Sequence, residues 1–407
     1  MNDTAPVTSH QDARPVATVL AFAALIVCVA MGIRHTFGLF LTPMSMEHQW
    51  PREVFSFAMA FQNLMWGAAQ PFAGLLADRL GPRKVLLGGG VLYALGLLGM
   101  AWSTTGTGIA ASGGLLVGMA QSATTYTIVF AALGRLIPEA RRPWAMGVVA
   151  AAGSFGQFLM IPVGSALISG LGWYGTLLVY ALGAFLILPL GVALTRGIAE
   201  AKHGAGQTVG QALREAARDR SFLLLNGGYF VCGFQVVFIG VHFPTYLIDK
   251  GMNASVGVTA LALIGLFNVF GSYGVGHLAT RFSKRYVLAA NYFLRSVVIS
   301  GFLLAPLSHA SVYVFSSLMG LLWLSTVPPT NAIVAQIFGL RFFGMLSGVV
   351  FFSHQVGSFI GVWLGGRLFD ATGNYNVIWG ICIALGVVAA LLNLPIDERS
   401  PRLQPAG

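Results

Sequence analysis

Two arginines, Arg34 and Arg295, stand inside long apolar runs. An uncompensated arginine at the centre of a membrane helix costs about 2.5–3.5 kcal/mol on insertion scales. All 13 acidic residues fall in tails, loops or the ends of runs, so the chain places no carboxylate of its own at that depth. An anion brought by a ligand would offset the cost, because a guanidinium meets both oxygens of a carboxylate in a planar fork. The bland alternative is that Arg34 reaches outward along its helix or bonds backbone carbonyls. It lies about nine residues, or ~13 Å, from the outer end of its run, which is far to reach. Arg34 is therefore expected to contact a small organic anion. Arg295 is expected to tie neighbouring helices or lipid headgroups. The missing intramembrane acid argues against carriers of sugars or cations, which commonly titrate or attract through such a group.

Polar residues recur at helical spacing within other apolar runs: Gln62, Trp66 and Gln70; Gln121 and Thr125 beside Tyr126; Tyr229, Gln235, His242 and Tyr246; Asn268 and Ser272; Ser347, His354 and Ser358. Each series points to one face turned away from lipid. Hydrogen bonding between helices is the competing explanation, often under about 1 kcal/mol per pair. The residues expected to line a substrate site are Arg34, Gln121, Tyr126, Tyr229, Asn268, Asn331 and His354. With no buried acid, His354 or His242 is the available proton carrier, unless a carboxylate substrate carries its own proton. No His/Cys cluster has metal-ligand spacing, and no phosphate loop or nucleophile triad stands out. Neither an enzyme nor an ATP-driven pump is expected, and no cofactor is expected. Cys28, Cys232 and Cys382 read as small buried thiols.

The elements that must hold these residues follow from composition. The chain has 407 residues, only 9% of them charged and 56% hydrophobic. Soluble domains carry about 25% charged residues, so this chain cannot cover a globular surface and is suited to lipid. Apolar runs fall at roughly 16–43, 53–76, 85–103, 108–135, 144–169, 172–195, 222–247, 255–279, 287–307, 311–338, 342–368 and 376–395, each near the ~20 residues that span a bilayer. An all-α membrane protein of twelve transmembrane helices is expected. Of the 23 Lys and Arg, Arg52, Lys250 and Arg367 fall on one side and Arg34 and Arg295 within the membrane; all the others lie in the tails and the alternate loops. By the positive-inside rule both termini are cytoplasmic, and the location expected is the cell inner membrane. The net charge of +10 sits in these short loops, so nucleic acid is not an expected partner. The organisation expected is a polar tail (1–15), a six-helix bundle (16–195), a cytoplasmic linker (196–221), a second bundle (222–395) and a cytoplasmic tail (396–407). Within the linker, GQALREAARDRS reads as a short basic amphipathic helix, suited to the lipid surface.

The halves repeat at an offset of about 202 residues. Gly74-Leu-Leu-Ala-Asp78-Arg79-Leu-Gly-Pro-Arg83-Lys84 follows helix 2, and Gly276-His-Leu-Ala-Thr280-Arg281 follows helix 8. Gly147, Gly156 and Gly164 in helix 5 match Gly348, Gly357 and Gly365 in helix 11. The loop GLLADRLGPRK resembles the signature of the major facilitator superfamily between helices 2 and 3. That resemblance implies two pseudo-symmetric six-helix bundles, a site near the midplane between them and transport by alternating access. It also implies a cytoplasmic gate, for which Asp78, Arg79, Arg83, Arg135 and Glu139 are the candidates. Helix 11 begins near the cytoplasm, so Asp78 is well placed to meet the partial positive charge of its first turn. Thr280 stands in place of the acid in the second copy, so the latch should be one-sided. Segments GIRHTFGLF, GVHFPTYLIDKG and SGVVFFSHQVGSFIG are similar to the bacterial branch of the monocarboxylate porter family. Its animal members carry a lysine near Arg34 in helix 1, and an Asp and an Arg in helix 8 where this chain has Asn268 and Ser272. The function implied is secondary transport of a small organic anion, a monocarboxylate by preference, by a monomer, coupled to protons or to a counter-anion. An exporter of hydrophobic compounds is the alternative within transport, and a sensor on a transporter fold the alternative outside it. Pro328 and Pro329 should break helix 10 and offer a hinge.

Overall fold

The computed structural model describes residues 15–198 and 208–399. The expected tail before Pro15, the linker stretch 199–207 and the tail beyond Arg399 lie outside the described residues. Nearly every described residue is helical. Ten stretches of the described residues are long and apolar enough to cross a membrane, and we label the long helices α1 (Val16–His35), α2 (Arg52–Leu80) and α3 (Pro82–Trp102). α4 is Gly106–Leu136. The stretch Glu139–Thr195 breaks at Gly172, whose φ of 69° is open to glycine alone at little cost, and its two arms are α5 and α6. The second half holds α7 (Arg220–Asp249), α8 (Ala254–Arg281), α9 (Lys284–Leu304), α10 (His309–Phe338), α11 (Phe343–Thr372) and α12 (Asn376–Asn393). A short helix, Val209–Arg218, lies between the halves, capped by Thr208 and Gln211 in a reciprocal box. It buries Ala212 and Ala216 and leaves Arg214 and Arg218 exposed.

α4 departs from the continuous span expected, and α10 breaks where its two prolines predict. α4 is interrupted at Thr125, whose ψ of −161° is extended, between Val117–Thr124 and Tyr126–Leu136. No proline or glycine marks that break. α10 is interrupted between Leu322 and Val327, where Pro328 and Pro329 occupy the first turn of the following segment and lack the N–H groups that would continue the helix behind them. The two breaks stand one repeat apart. Discontinuous helices expose backbone groups in the membrane only where protein or a cavity receives them.

The halves meet chiefly along two helix pairs, α2 with α11 and α5 with α8. Small residues allow the approach. A Cβ added at Gly276 would lie 2.6 Å from the Gly147 Cα, and one at Gly348 would lie 2.7 Å from the Gln70 carbonyl oxygen. In lipid, where apolar burial between helices contributes little, such backbone proximity is a main source of attraction. Arg79, Arg83, Lys84, Arg135, Arg281, Lys284, Arg285 and Arg341 gather at one end, hereafter the basic end. Towards the other end of the second half, Phe238, Phe243, Phe302, Phe315 and Trp379 form an aromatic core.

Candidate functional site

Arg34 occupies the last turn of α1, where the chain leaves α-geometry at Thr36 for a 3-10 turn, Phe37–Phe40. Its guanidinium lies 4.6 Å from the centre of the Trp66 ring on α2. Nη2 donates to Asn63 Oδ1, and Nη1 lies 3.4 Å from His35 Nε2. Nε is buried with no hydrogen-bond partner. Among the described residues no carboxylate pairs with Arg34. Tyr126, at the α4 break, stands within its electrostatic reach.

From Arg34 a row of rings crosses to the second half. Trp66 meets Phe351 of α11 at 4.8 Å, Phe351 stacks on His354 at 5.7 Å, and His354 meets Tyr229 of α7 at 5.0 Å. A polar row runs beside it. Gln355 Nε2 donates to the Asn63 carbonyl oxygen at 3.1 Å, and Gln355 Oε1 lies 3.3 Å from His354 Nδ1. The fold thus brings Arg34, Tyr126, Tyr229 and His354 to one region between the halves.

Other residues expected at the site have different surroundings. Asn268 is fully buried; its Nδ2 donates to Ser154 Oγ of α5 at 2.7 Å, and its Oδ1 accepts from Leu324 N at 3.0 Å and from Ser272 Oγ at 3.2 Å. It clasps α5, α8 and the α10 break together. Gln121 is also fully buried, donating to Gln62 Oε1 at 3.4 Å with its own Oε1 unpartnered. Asn331 donates to the Val327 carbonyl of its own helix at 2.9 Å. His242 lies in the aromatic core, Nε2 3.0 Å from the Val362 carbonyl and Nδ1 3.3 Å from Tyr375 Oη. The carbonyl only accepts, so Nε2 bears the proton and Nδ1 accepts from the tyrosine.

Arg295 is fully buried on α9 and serves the α10 break. Nε and Nη2 donate to the Leu322 carbonyl at 3.0 and 2.6 Å, Nη2 also donates to the Trp323 carbonyl, and Nη1 faces Gln235 Oε1 and Cys232 Sγ, each at 3.4 Å. These are carbonyls that the interrupted helix leaves without N–H partners. Replacing Arg295 with methionine should lower stability by at least about 2 kcal/mol, since the buried acceptors lose their donors. Melting curves in detergent should show the loss, while ligand affinity of the surviving protein stays within about twofold.

At the basic end Asp78 is only 5% exposed. Its Oδ1 accepts from Gly344 N at 2.9 Å and its Oδ2 from Met345 N at 2.8 Å, both in the first turn of α11. Those N–H groups have no partner within the helix, and the helix dipole favours an anion there. Arg135 stands within electrostatic reach of Asp78. Arg79, Arg83 and Glu139, expected beside it, are exposed. Arg79 and Arg83 flank the turn between α2 and α3, and Glu139 lies in the short turn where α4 passes into α5. In the second copy Thr280 is exposed and donates to the His277 carbonyl of its own helix at 2.7 Å. There α5 and α8 meet through the close Gly147–Gly276 contact.

Sequence reasoning passed over Asn63, Phe351 and Gln355. Asn63 adjoins Gln62 but lies three residues from Trp66, so it shares Trp66's side of α2. Gln62 and Gln70, which looked equivalent, turn instead to the Gly113 and Ser122 carbonyls of α4 at 2.7 and 2.8 Å. Among the described residues no group of His, Cys, Asp or Glu is arranged to hold a metal ion.

The sequence profile of the Major Facilitator Superfamily matches residues 20–361. An uncharacterised MFS-type transporter of Bacillus subtilis, YcxA, is 25% identical over 387 residues, covering 92% of this chain and 94% of the relative. Monocarboxylate transporter 13 of Rattus norvegicus is 26% identical over 385 residues, covering 90% and 86%. Among solved structures, the fucose:proton symporter of E. coli superposes with a TM-score of 0.71 at 16% identity, covering 92% of this chain and 99% of that one.

Proposed function

The chain belongs to the major facilitator superfamily, and on that footing we propose that it carries a small organic anion, by preference a monocarboxylate, between its two halves by alternating access. The observation that carries this reading is the Arg34 guanidinium, held against Trp66 with a buried, unpartnered Nε and no carboxylate beside it among the described residues. A carboxylate satisfies that charge and that donor together. Similarity to monocarboxylate transporters supports the same substrate class.

The basic end is the cytoplasmic one by the positive-inside rule, which puts both termini in the cytoplasm and the protein in the cell inner membrane. Asp78 on the α11 terminus then holds the cytoplasmic side shut. Asn63, at mid-helix, stays exposed beside Arg34, so substrate reaches the arginine from outside. Opening requires α11 to leave Asp78, and rocking of the halves carries the anion across. One chain provides both halves, so a monomer suffices.

His354 is the proton carrier in this scheme. Its ring lies in the row that leads from Arg34, between Phe351 and Tyr229, and its Nδ1 lies 3.3 Å from Gln355 Oε1 and 3.5 Å from Ser358 Oγ. His242 lies apart from that row, in the aromatic core, with both ring nitrogens engaged by Val362 and Tyr375.

Uptake into vesicles containing the purified protein tests this function. A panel of short monocarboxylates, neutral sugars and hydrophobic cations is offered with an inward proton gradient. Saturable uptake of carboxylates alone is expected, stimulated by the gradient. Transport of the cations with no carboxylate uptake would establish the exporter alternative instead. His354→Gln should lose accumulation driven by pH and retain exchange of labelled for unlabelled substrate. If the variant still concentrates substrate down a pH gradient, the proton travels elsewhere.

A further inference from the structure

A guanidinium has one edge formed by Nε–H and one Nη–H, and a carboxylate binds that edge with two parallel hydrogen bonds. In Arg34 the two donors differ. Nη2 donates to Asn63 Oδ1, while Nε is buried and without a partner. The Asn63 oxygen accepts from Nη2 and not from Nε, and the amide nitrogen, itself a donor, cannot accept from Nε. That nitrogen is committed, donating to the Met59 carbonyl one turn back at 3.1 Å. The commitment fixes which way the amide faces and aims its oxygen at the arginine. The backbone of Asn63 is held as well, since its carbonyl accepts from Gln355 Nε2 of α11 at 3.1 Å.

We propose that Asn63 is a placeholder for the substrate: its amide oxygen occupies one of the two oxygen positions at the Arg34 edge in the empty protein, and the arriving anion displaces it. This rests on the reading of Arg34 as the anion anchor and adds a residue that sets specificity. A neutral ligand with a single acceptor oxygen merely exchanges one amide-like bond for another and gains nothing over Asn63. A carboxylate gains the second bond, to Nε, and the charge. The site therefore prefers a carboxylate over its primary amide through competition from the protein itself. Because the Asn63 carbonyl is tied to Gln355, the exchange takes place at a point where the two halves touch.

Two substitutions separate the placeholder from a residue that only shapes the wall. Asn63→Ala removes the competing oxygen, and Asn63→Asp adds a built-in carboxylate that pairs with Arg34 permanently. Propionate, pyruvate and benzoate, each beside its primary amide, are titrated calorimetrically into the wild-type protein and both variants. Asn63→Ala is expected to bind the carboxylates as tightly as wild type or more tightly, and Asn63→Asp at least about tenfold more weakly. Equal weakening by both variants would overturn the placeholder role. Melting temperatures decide the matter independently of any ligand. Asn63→Asp should raise the melting temperature in the wild-type background and not in an Arg34→Gln background. A change that is the same in both backgrounds removes the Asn63–Arg34 exchange. If no carboxylate binds wild-type protein but the melting cycle shows the dependence on Arg34, the placeholder contact stands and the monocarboxylate reading falls.

Discussion

Replacing Arg34 with glutamine should raise the dissociation constant of a monocarboxylate about ten- to a hundredfold, which corresponds to the roughly 1.5–3 kcal/mol of a charge-assisted hydrogen bond. Glutamine keeps some hydrogen bonding but removes the charge and the planar fork. Arg34→Lys keeps the charge and loses the fork, so its affinity should fall between the two. Lysine also loses contact area over Trp66, where the guanidinium now lies 4.6 Å from the ring centre. The order wild type, lysine, glutamine is the mark of an electrostatic anchor. A structural arginine gives a different pattern, and Arg295 provides the internal comparison. Arg295 directs donors to the Leu322 carbonyl and to the Cys232 and Gln235 side chains, so its loss should appear in the melting curve. Arg34 leaves Nε without a partner, so its loss should appear in binding. Calorimetry on the three proteins, beside their melting curves, checks both. Unchanged affinity in Arg34→Gln would remove the main physical support for an anionic substrate.

Asp78→Asn should shift the balance between closed and open cytoplasmic sides by about 2 kcal/mol, or roughly thirtyfold, towards open. The carboxylate now accepts from two N–H groups of the α11 terminus at 2.9 and 2.8 Å. An amide offers one oxygen and turns two donors towards the other N–H, which is left buried and unsatisfied. The favourable interaction with the helix dipole disappears as well. The Thr280 side cannot compensate, because its hydroxyl serves its own helix. A cysteine placed on the cavity side below Arg34 should become reactive to a membrane-impermeant thiol reagent from the cytoplasmic side, and net transport should slow. The protein should still insert, since Asp78 lies at the end of α2. Equal labelling and equal rates in wild type and variant would show that the contact does not govern closure.

The main features of the fold were readable from residue types alone. Apolar runs, a basic end and a glycine-bearing repeat are properties that survive whatever the helices do to one another. The chemical character of Arg34 was readable for the same reason, since acids are confined to run ends all along the sequence. The grouping of partners was not. Gln62 and Asn63 are adjacent and both polar, yet one serves the α4 backbone and the other Arg34. Asn268 looked like a cavity residue and is instead consumed by Ser154, Ser272 and Leu324. The α4 break at Thr125 carries no proline or glycine, so local propensity does not announce it.

A soluble amphipathic helix displays one apolar stripe, which fixes its rotation against a core. These helices are apolar on nearly every side, because lipid accepts what a core would accept. Their rotations are set by close backbone contacts such as Gly147 with Gly276 and by single bonds such as Asp78 to Gly344. Those contacts join residues more than a hundred positions apart. Residue types along the chain therefore suffice to establish a helical membrane protein in two related halves, with an intramembrane cation and no acid to match it. Which side chains face that cation and which hold helices together emerges in the folded arrangement, because that choice depends on helix rotation and register, which nearly uniform apolar faces do not encode.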